Sequence, residues 1–343
     1  MTNFQNKKCR IAVDAMGGDF APANNVVGAI DASAADSNIQ LLLVGDKNKI
    51  KKVIAEKNLQ FPEEQIIHAD EVIEMSDSPT AALKTKPNSS IVVGAKLVKD
   101  GKADGFISAG NTGAMMAAST ILIGRLKGVS RPTIGSSFPT QNGDYCSVYD
   151  VGASVDSKPS HLFEYALLGS IYAREMHNIP KPTIGIMSVG EEKSKGNELT
   201  FATHELLSNS ELNYVGNVEG RDVLKGTVNI IVCDGFVGNI ILKLAESTIG
   251  LLKSRIKKYA EQGLINKLKA LVVKGVFKEA LSDMDYQSYG GVPLLGVNGI
   301  SIIGHGSSSE LAIKNMVLKA KEMFDKQLLQ KFEEALKDYA KSK

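Results

Sequence analysis

Residues Gly105-Phe106-Ile107-Ser108-Ala109-Gly110-Asn111-Thr112-Gly113-Ala114 read as an apolar strand, a glycine turn and the start of a helix. The stretch Ala114–Ile123 that follows has a helical pattern. Gly110 and Gly113 let backbone N–H groups approach an anion closely. Ser108, Asn111 and Thr112 offer side-chain donors, and the helix N-terminus behind them favours negative charge. A tight strand-to-helix turn also needs glycine, so the glycines alone do not separate the two readings. The polar residues between them favour an anion site. No Gly-Lys-Ser/Thr follows and no Gly-x-Gly-x-x-Gly is present, so neither a Walker A loop nor a dinucleotide cofactor is indicated.

The same rhythm recurs on either side. Strands are expected at Ile11–Asp14, Leu41–Val44, Gly105–Ser108, Ser147–Asp150, Thr183–Ser188, Ile230–Cys233 and Ile300–Ile303, with helix-period segments between them. Such alternation predicts an α/β fold with a mostly parallel sheet. Several strands are apolar throughout, as expected when both faces are covered. Many end in a small or acidic residue followed by glycine, as in Asp14-Ala-Met-Gly17-Gly18 and Cys233-Asp234-Gly235. Open α/β sheets bind ligands at these carboxyl ends. Without a clear linker or repeat, residues 1–343 are expected to form one catalytic unit of two intertwined halves.

Composition narrows the function classes. The 343 residues are 43% hydrophobic with a formal net charge of +2, so disorder and charge-driven nucleic-acid binding are not indicated. Cys9, Cys146 and Cys233 lie far apart without a Cys-x-x-Cys pair, which fits a reducing cytoplasm and argues against a zinc site. Met1–Cys9 is polar, so no secretory leader is expected. No stretch reaches the roughly 18 apolar residues of a membrane span.

Other segments carry chemistry more weakly. Gly304-His305-Gly306-Ser307 is a second candidate anion turn, and Ser307-Ser-Ser-Glu310 reads as a capping box opening an amphipathic C-terminal helix. Gly190-Glu-Glu-Lys-Ser-Lys195-Gly-Asn-Glu198 follows a strand, and Gly220-Arg221-Asp222 and Asp234-Gly-Phe-Val-Gly-Asn239 place polar residues at glycine turns. Residues 248–281 form a basic amphipathic helical excursion, in which Lys253, Arg255, Lys257, Lys258, Lys267, Lys269, Lys274 and Lys278 face only Glu261 and Glu279. A solvated helical face and a surface for anionic lipid or an acidic protein fit it equally.

Together these blocks resemble the phosphate acyltransferase (PlsX) family of bacterial phospholipid synthesis. The resemblance rests on Asp14-Ala-Met-Gly-Gly-Asp19 with Ala21-Pro22, Ser108–Ala114, Arg131-Pro132, Gly190-Glu-Glu with Lys195-Gly-Asn-Glu198, Gly216–Asp222, Val232–Asn239, and Tyr289–Gly296 leading to His305-Gly-Ser-Ser308. The chain departs from the family pattern at Ser188, Ser154, Gln287 and Ser288. The resemblance implies transfer of an acyl group from acyl carrier protein to inorganic phosphate, without a cofactor or metal. It also implies a homodimer, a three-layer α/β/α fold like the isocitrate/isopropylmalate dehydrogenases, peripheral contact with an anionic membrane, and delivery of product to a membrane glycerol-3-phosphate acyltransferase.

The residues suit that reaction. Phosphate, with a second pKa of about 6 to 7, is a competent nucleophile, and a thiolate of pKa about 8.5 leaves with little help. No Ser-His-Asp triad is then required. Ser108, Gly110, Asn111, Thr112 and Gly113 are expected to hold phosphate, with Lys195 neutralising its charge and Arg221 as a second cation. His305, supported by Ser307, would donate to the oxyanion or thiolate, and Asn239 would bind the pantetheine arm. Asp14 and Asp234, with Gly17 and Gly18, would order the strand ends. Lys84, Lys86, Lys267 and Lys269 are candidates for carrier or membrane contact. A phosphotransacetylase-like enzyme, a lipid-responsive scaffold and a decarboxylating dehydrogenase are the competing readings.

Overall fold

The computed structural model describes residues 8–280 and 290–342. Leu281, Gln287, Ser288 and Tyr289, named above, lie outside the described residues, as do the side chains of Lys278 and Glu279.

In chain order the elements are β1 (Cys9–Asp14), α1 (Ala23–Ala35), β2 (Ile39–Gly45), α2 (Lys47–Glu56), β3 (Ile66–His68), α3 (Pro79–Thr85), α4 (Ser90–Lys99), β4 (Gly105–Ser108), α5 (Thr112–Ala118), β5 (Thr133–Pro139) and β6 (Tyr145–Tyr149). They continue with α6 (Pro159–Met176), β7 (Ile184–Met187), α7 (Glu198–Ser208), β8 (Tyr214–Val218), α8 (Asp222–Lys225), β9 (Ile230–Val232), α9 (Gly235–Ala260), α10 (Leu264–Ala280), β10 (Val292–Leu295), β11 (Ile300–Ile303), α11 (Glu310–Asp325) and α12 (Leu328–Ser342). The architecture is α/β, with mostly parallel strands and helices on both sides.

The chain divides into two compact units. Unit 1 comprises Met1–Gly135, Leu167–Lys181 and Tyr289–Lys343. Its strands run β3-β2-β1-β4-β11-β10, followed by the first residues of β5. The pairs from β3 to β11 are parallel, and β10 is antiparallel to both its neighbours. Ile11 lies opposite Leu41 on one side and Gly105 on the other, which sets β1, β2 and β4 in register. Every residue of β4 and β11 is buried, the burial expected of strands that read as unbroken apolar runs.

Unit 2 comprises Ser136–Ala166 and Pro182–Ser288. Its strands run from the end of β5 through β6-β9-β7-β8, with β6/β9, β9/β7 and β7/β8 parallel. Ile184, Ile186, Ile230, Ile231 and Val232 are buried.

Several sequence expectations are corrected here. Helix α5 starts at Thr112, two residues early, and passes into a π-helical turn, Ser119–Ile123, before Gly124 at φ 93° ends it. Ser309, not Ser307, caps α11, accepting the Ala312 N–H at 3.3 Å. The C-terminal segment is two helices, broken where Gln327 adopts φ 52°. The basic excursion is the second part of a hairpin that begins at Gly235, where α9 and α10 pack on each other. At 26 residues, α9 is long and apolar enough to cross a membrane, and little of it is buried. No apolar run announced this length, because Lys243 and Glu246 and several small polar residues interrupt it.

Candidate active site

Three loops leave the carboxyl ends of β1, β4 and β11, adjacent parallel strands of unit 1. Asp14 ends β1 and is buried. Its Oδ1 accepts the N–H groups of Met16 at 3.0 Å and Gly17 at 3.1 Å. Its Oδ2 accepts the Ser108 hydroxyl at 2.6 Å, and Ser108 Oγ accepts the Gly110 N–H at 3.0 Å. Burial pushes the Asp14 carboxyl up, while hydrogen bonds from Ser108 and Ser90 pull it down. Asp14 and Ser108 thereby form a buried strut from the end of β1 into the β4–α5 loop.

The loops also touch backbone to backbone. A Cβ on Gly17 would stand 2.4 Å from Asp14 Oδ2 and 2.7 Å from the Gly110 nitrogen, so only glycine fits. Gly18 has φ +106°, and a Cβ there would lie 3.0 Å from the Gly306 carbonyl oxygen. The Asp19 N–H donates to that same oxygen at 2.7 Å. From α1, Asn25 Nδ2 donates to the carbonyls of Asp14 and Gly17, both at 2.8 Å.

Asn111 caps α5, its Oδ1 accepting the Ala114 N–H at 3.0 Å. Its Nδ2 faces three carbonyls of a neighbouring loop, Glu74 at 3.0 Å, Met75 at 3.3 Å and Asp77 at 3.1 Å. The side chains of Ser108 and Asn111, expected to reach phosphate, are therefore occupied in the frame, as is the Gly110 N–H. Thr112 is exposed, and the first-turn amides of Thr112 and Gly113 have no carbonyl of their own helix to bond. Gly113 itself sits against Pro79, where a Cβ would come within 2.5 Å.

His305 is exposed at the head of the third loop. Its Nδ1 accepts the Ser307 N–H at 3.2 Å and lies 2.8 Å from Ser307 Oγ. A backbone N–H can only donate, so the neutral ring carries its proton on Nε2. This makes Ser307 the residue that sets the tautomer.

Of the remaining candidates, Lys84 and Lys86 lie in unit 1 and the others in unit 2. Lys195 is exposed on the loop after β7, and among the described residues its ammonium has no ion-pair partner. Its carbonyl accepts Asn217 Nδ2 at 2.9 Å, and the same Nδ2 lies 2.9 Å from the Glu192 carbonyl. Arg221, expected as a second cation, is instead paired with Glu219 at 2.9 Å and Glu191 at 3.1 Å. Asp234 caps α9 through the Val237 N–H at 2.9 Å. Asn239 is exposed one turn further on, beside Gly152. Lys86, expected as a docking residue, holds Asp77 at 2.6 Å and the Val72 carbonyl at 2.8 Å, whereas Lys84, Lys267 and Lys269 are exposed.

Asn25, Asn217 and the 74–77 loop escaped sequence reasoning. Their partners are distant or are backbone carbonyls, which no motif spells out. Asn217 alone had a signal, as part of the quoted Gly216–Asp222 block.

The profile of the family described as Fatty acid synthesis protein matches residues 9–331. A phosphate acyltransferase of Desulfitobacterium hafniense is 47% identical over 328 residues, covering 95% of this chain and 97% of that protein. One from Halothermothrix orenii is 44% identical over 324 residues, covering 93% and 96%. Among solved structures, a phosphotransacetylase from Streptococcus pyogenes superposes with a TM-score of 0.60 at 16% identity, covering 93% of this chain and 94% of that one. A phosphotransacetylase from Staphylococcus aureus gives 0.56 at 14% identity, with 93% and 96% covered. These two likenesses establish the fold. The chain belongs to the fatty acid synthesis protein family and is an enzyme of the acyltransferase class.

Proposed function

We propose that this enzyme transfers a fatty acyl group from acyl carrier protein to inorganic phosphate. The observation that carries the reading is the Asp14–Ser108–Gly110 strut, which fixes the β4–α5 loop; the first-turn amides of Thr112 and Gly113 would take the anion. Phosphate held there presents an oxygen to the thioester carbonyl. The new C–O bond gives a tetrahedral oxyanion, and its collapse breaks the C–S bond to release acyl phosphate and the carrier thiolate. The His305 Nε2–H donates to the oxyanion or to the departing sulfur. The sequence alone assigns Lys195 to charge neutralisation and Asn239 to the pantetheine arm. Positioning and charge neutralisation supply the rate, with no covalent enzyme intermediate.

In this reading the enzyme works in the cytoplasm as a homodimer. The hairpin of α9 and α10, with exposed Leu264, Leu268 and Leu271 beside Lys267 and Lys269, lies against anionic lipid. Acyl phosphate then passes to a membrane glycerol-3-phosphate acyltransferase and on to phosphatidic acid and phospholipid.

The test is incubation with acyl carrier thioester and labelled phosphate, trapping product with hydroxylamine. Acyl hydroxamate and one free thiol per turnover are expected. Absence of acyl phosphate with every donor overturns the reading, and preference for acetyl-CoA over long-chain acyl carrier protein replaces it with a phosphotransacetylase.

A further inference from the structure

Resting on the reading above, we propose that Met75 is a specificity-determining residue that contacts the apolar part of the acyl thioester. Among the described residues of unit 1, the large apolar side chains left exposed are Phe20, Met75, Ile121 and Leu311. Phe20 lies in the loop after β1. Ile121 lies in the turn that ends the helix leaving the β4 loop, and Leu311 is in the first turn after the β11 loop. Met75 belongs to none of the three loops, yet it is fastened to the β4 loop and lies beside the β11 loop.

The fastening is specific. Asn111 of the β4 loop faces the carbonyls of Glu74, Met75 and Asp77. Asp77 Oδ2 accepts the Glu74 N–H at 2.8 Å and the Lys86 ammonium at 2.6 Å, closing the 74–77 loop on itself. On its other side the loop lays the Met75 methyl over Gly306, where a Cβ would stand 3.4 Å from Met75 Cε and 3.4 Å from Asp19 Oδ1. The side chain nevertheless remains 55% exposed. A buried amide thus holds an exposed thioether beside the His305 turn.

The chemistry of the substrates explains such a rim. Phosphate needs amides and cations, which the β4–α5 loop provides. An acyl thioester presents a hydrocarbon chain next to its reacting carbonyl and has no use for charge. An unbranched, polarisable thioether adapts to such a chain better than a stiff side chain would.

The experiment compares Met75→Ala and Met75→Leu with the parent enzyme, measuring KM for carrier thioesters of several chain lengths and KM for phosphate. Met75→Ala is expected to raise the donor KM about five- to tenfold, most for long chains, with phosphate KM within about twofold, and Met75→Leu to restore it. Unchanged donor KM across chain lengths, or an equal rise in both constants, overturns the proposal. If the parent enzyme makes no acyl phosphate at all, the underlying reading fails first, and this control keeps the two failures distinct. Because the side chain is exposed, thermal midpoints of the variants should match the parent.

Discussion

Two strand ends, one in each unit, use the same local device and put it to different ends. Asp14 closes β1 and Asp150 follows β6, and both are buried. Each takes the N–H groups two and three residues ahead on Oδ1, Met16 and Gly17 for Asp14, Gly152 and Ala153 for Asp150. The second oxygen makes the difference. Asp14 Oδ2 accepts the Ser108 hydroxyl and braces a neighbouring loop. Asp150 faces the start of α9, where a Cβ on Gly235 would lie 2.7 Å from its Oδ2 and one on Gly238 1.7 Å from its carbonyl oxygen. The first arrangement stiffens a neighbouring loop, while the second seals a helix onto its strand end. A buried aspartate at a strand end is therefore no site by itself. What matters is whether its reach braces a loop that carries first-turn helix amides.

The sharpest break in this comparison is Asp14→Ala against Gly238→Ala. Asp14→Ala strands the Ser108 hydroxyl and two N–H groups, and it should lower stability by about 3 kcal/mol and acyl phosphate formation by about a hundredfold or more. Gly238→Ala should cost a similar few kcal/mol (about 3) through backbone collision, yet leave phosphate KM nearly unchanged. Urea titrations with steady-state kinetics on both variants check this. Equal effects on phosphate KM would remove the distinction between the two strand ends.

A second test lies wholly in unit 2. Lys195→Ala should lower kcat/KM for phosphate about thirtyfold, whereas Arg221→Ala, which removes an exposed and already paired cation, should change it by less than about twofold. A large loss in the Arg221 variant would restore that residue as a phosphate ligand.

A third test separates the units by acid. Burial, aided by the charge of Lys319, pulls the His177 imidazole of unit 1 down to about 4. Glu322 opposes this and Lys326 reinforces it, with Tyr172 stacked edge-on at 5.6 Å. The unfolded chain takes up this proton near about 6.5 and the folded chain only near 4, so the stability the neutral ring contributes is complete above about 6.5 and lost as pH falls toward 4, by about 2 to 3 kcal/mol. Urea midpoints across this window should fall for the parent and flatten for His177→Gln. Amide exchange at pH 5 should quicken in unit 1 before unit 2.

Much of the fold was legible because burial on both faces writes unbroken apolar runs, and β4 and β11 match their expected ranges residue for residue. Strand β3 has only three residues, β10 carries Pro293 and β8 carries Gly216 and Asn217, so none shows such a run. The glycine turns were legible too. The division of labour within them was not, since Ser108 and Asp14 are 94 positions apart and a hydroxyl on a glycine loop looks the same whether it faces a phosphate or a carboxylate. Arg221 misled in a related way: a cation at a glycine turn looks the same whether it meets phosphate or is paired, as here, with Glu219 two positions away and Glu191 30 positions away.

The most direct measurement is phosphate KM in Ser108→Ala, assayed by trapped acyl hydroxamate. Loss of the hydroxyl releases the Gly110 N–H and slackens the loop without removing the Thr112 and Gly113 amides. Phosphate KM should rise about tenfold, and KM for acyl carrier thioester should stay within about twofold. An unchanged phosphate KM, or a rise confined to the acyl donor, would contradict the assignment of this loop as the phosphate cradle.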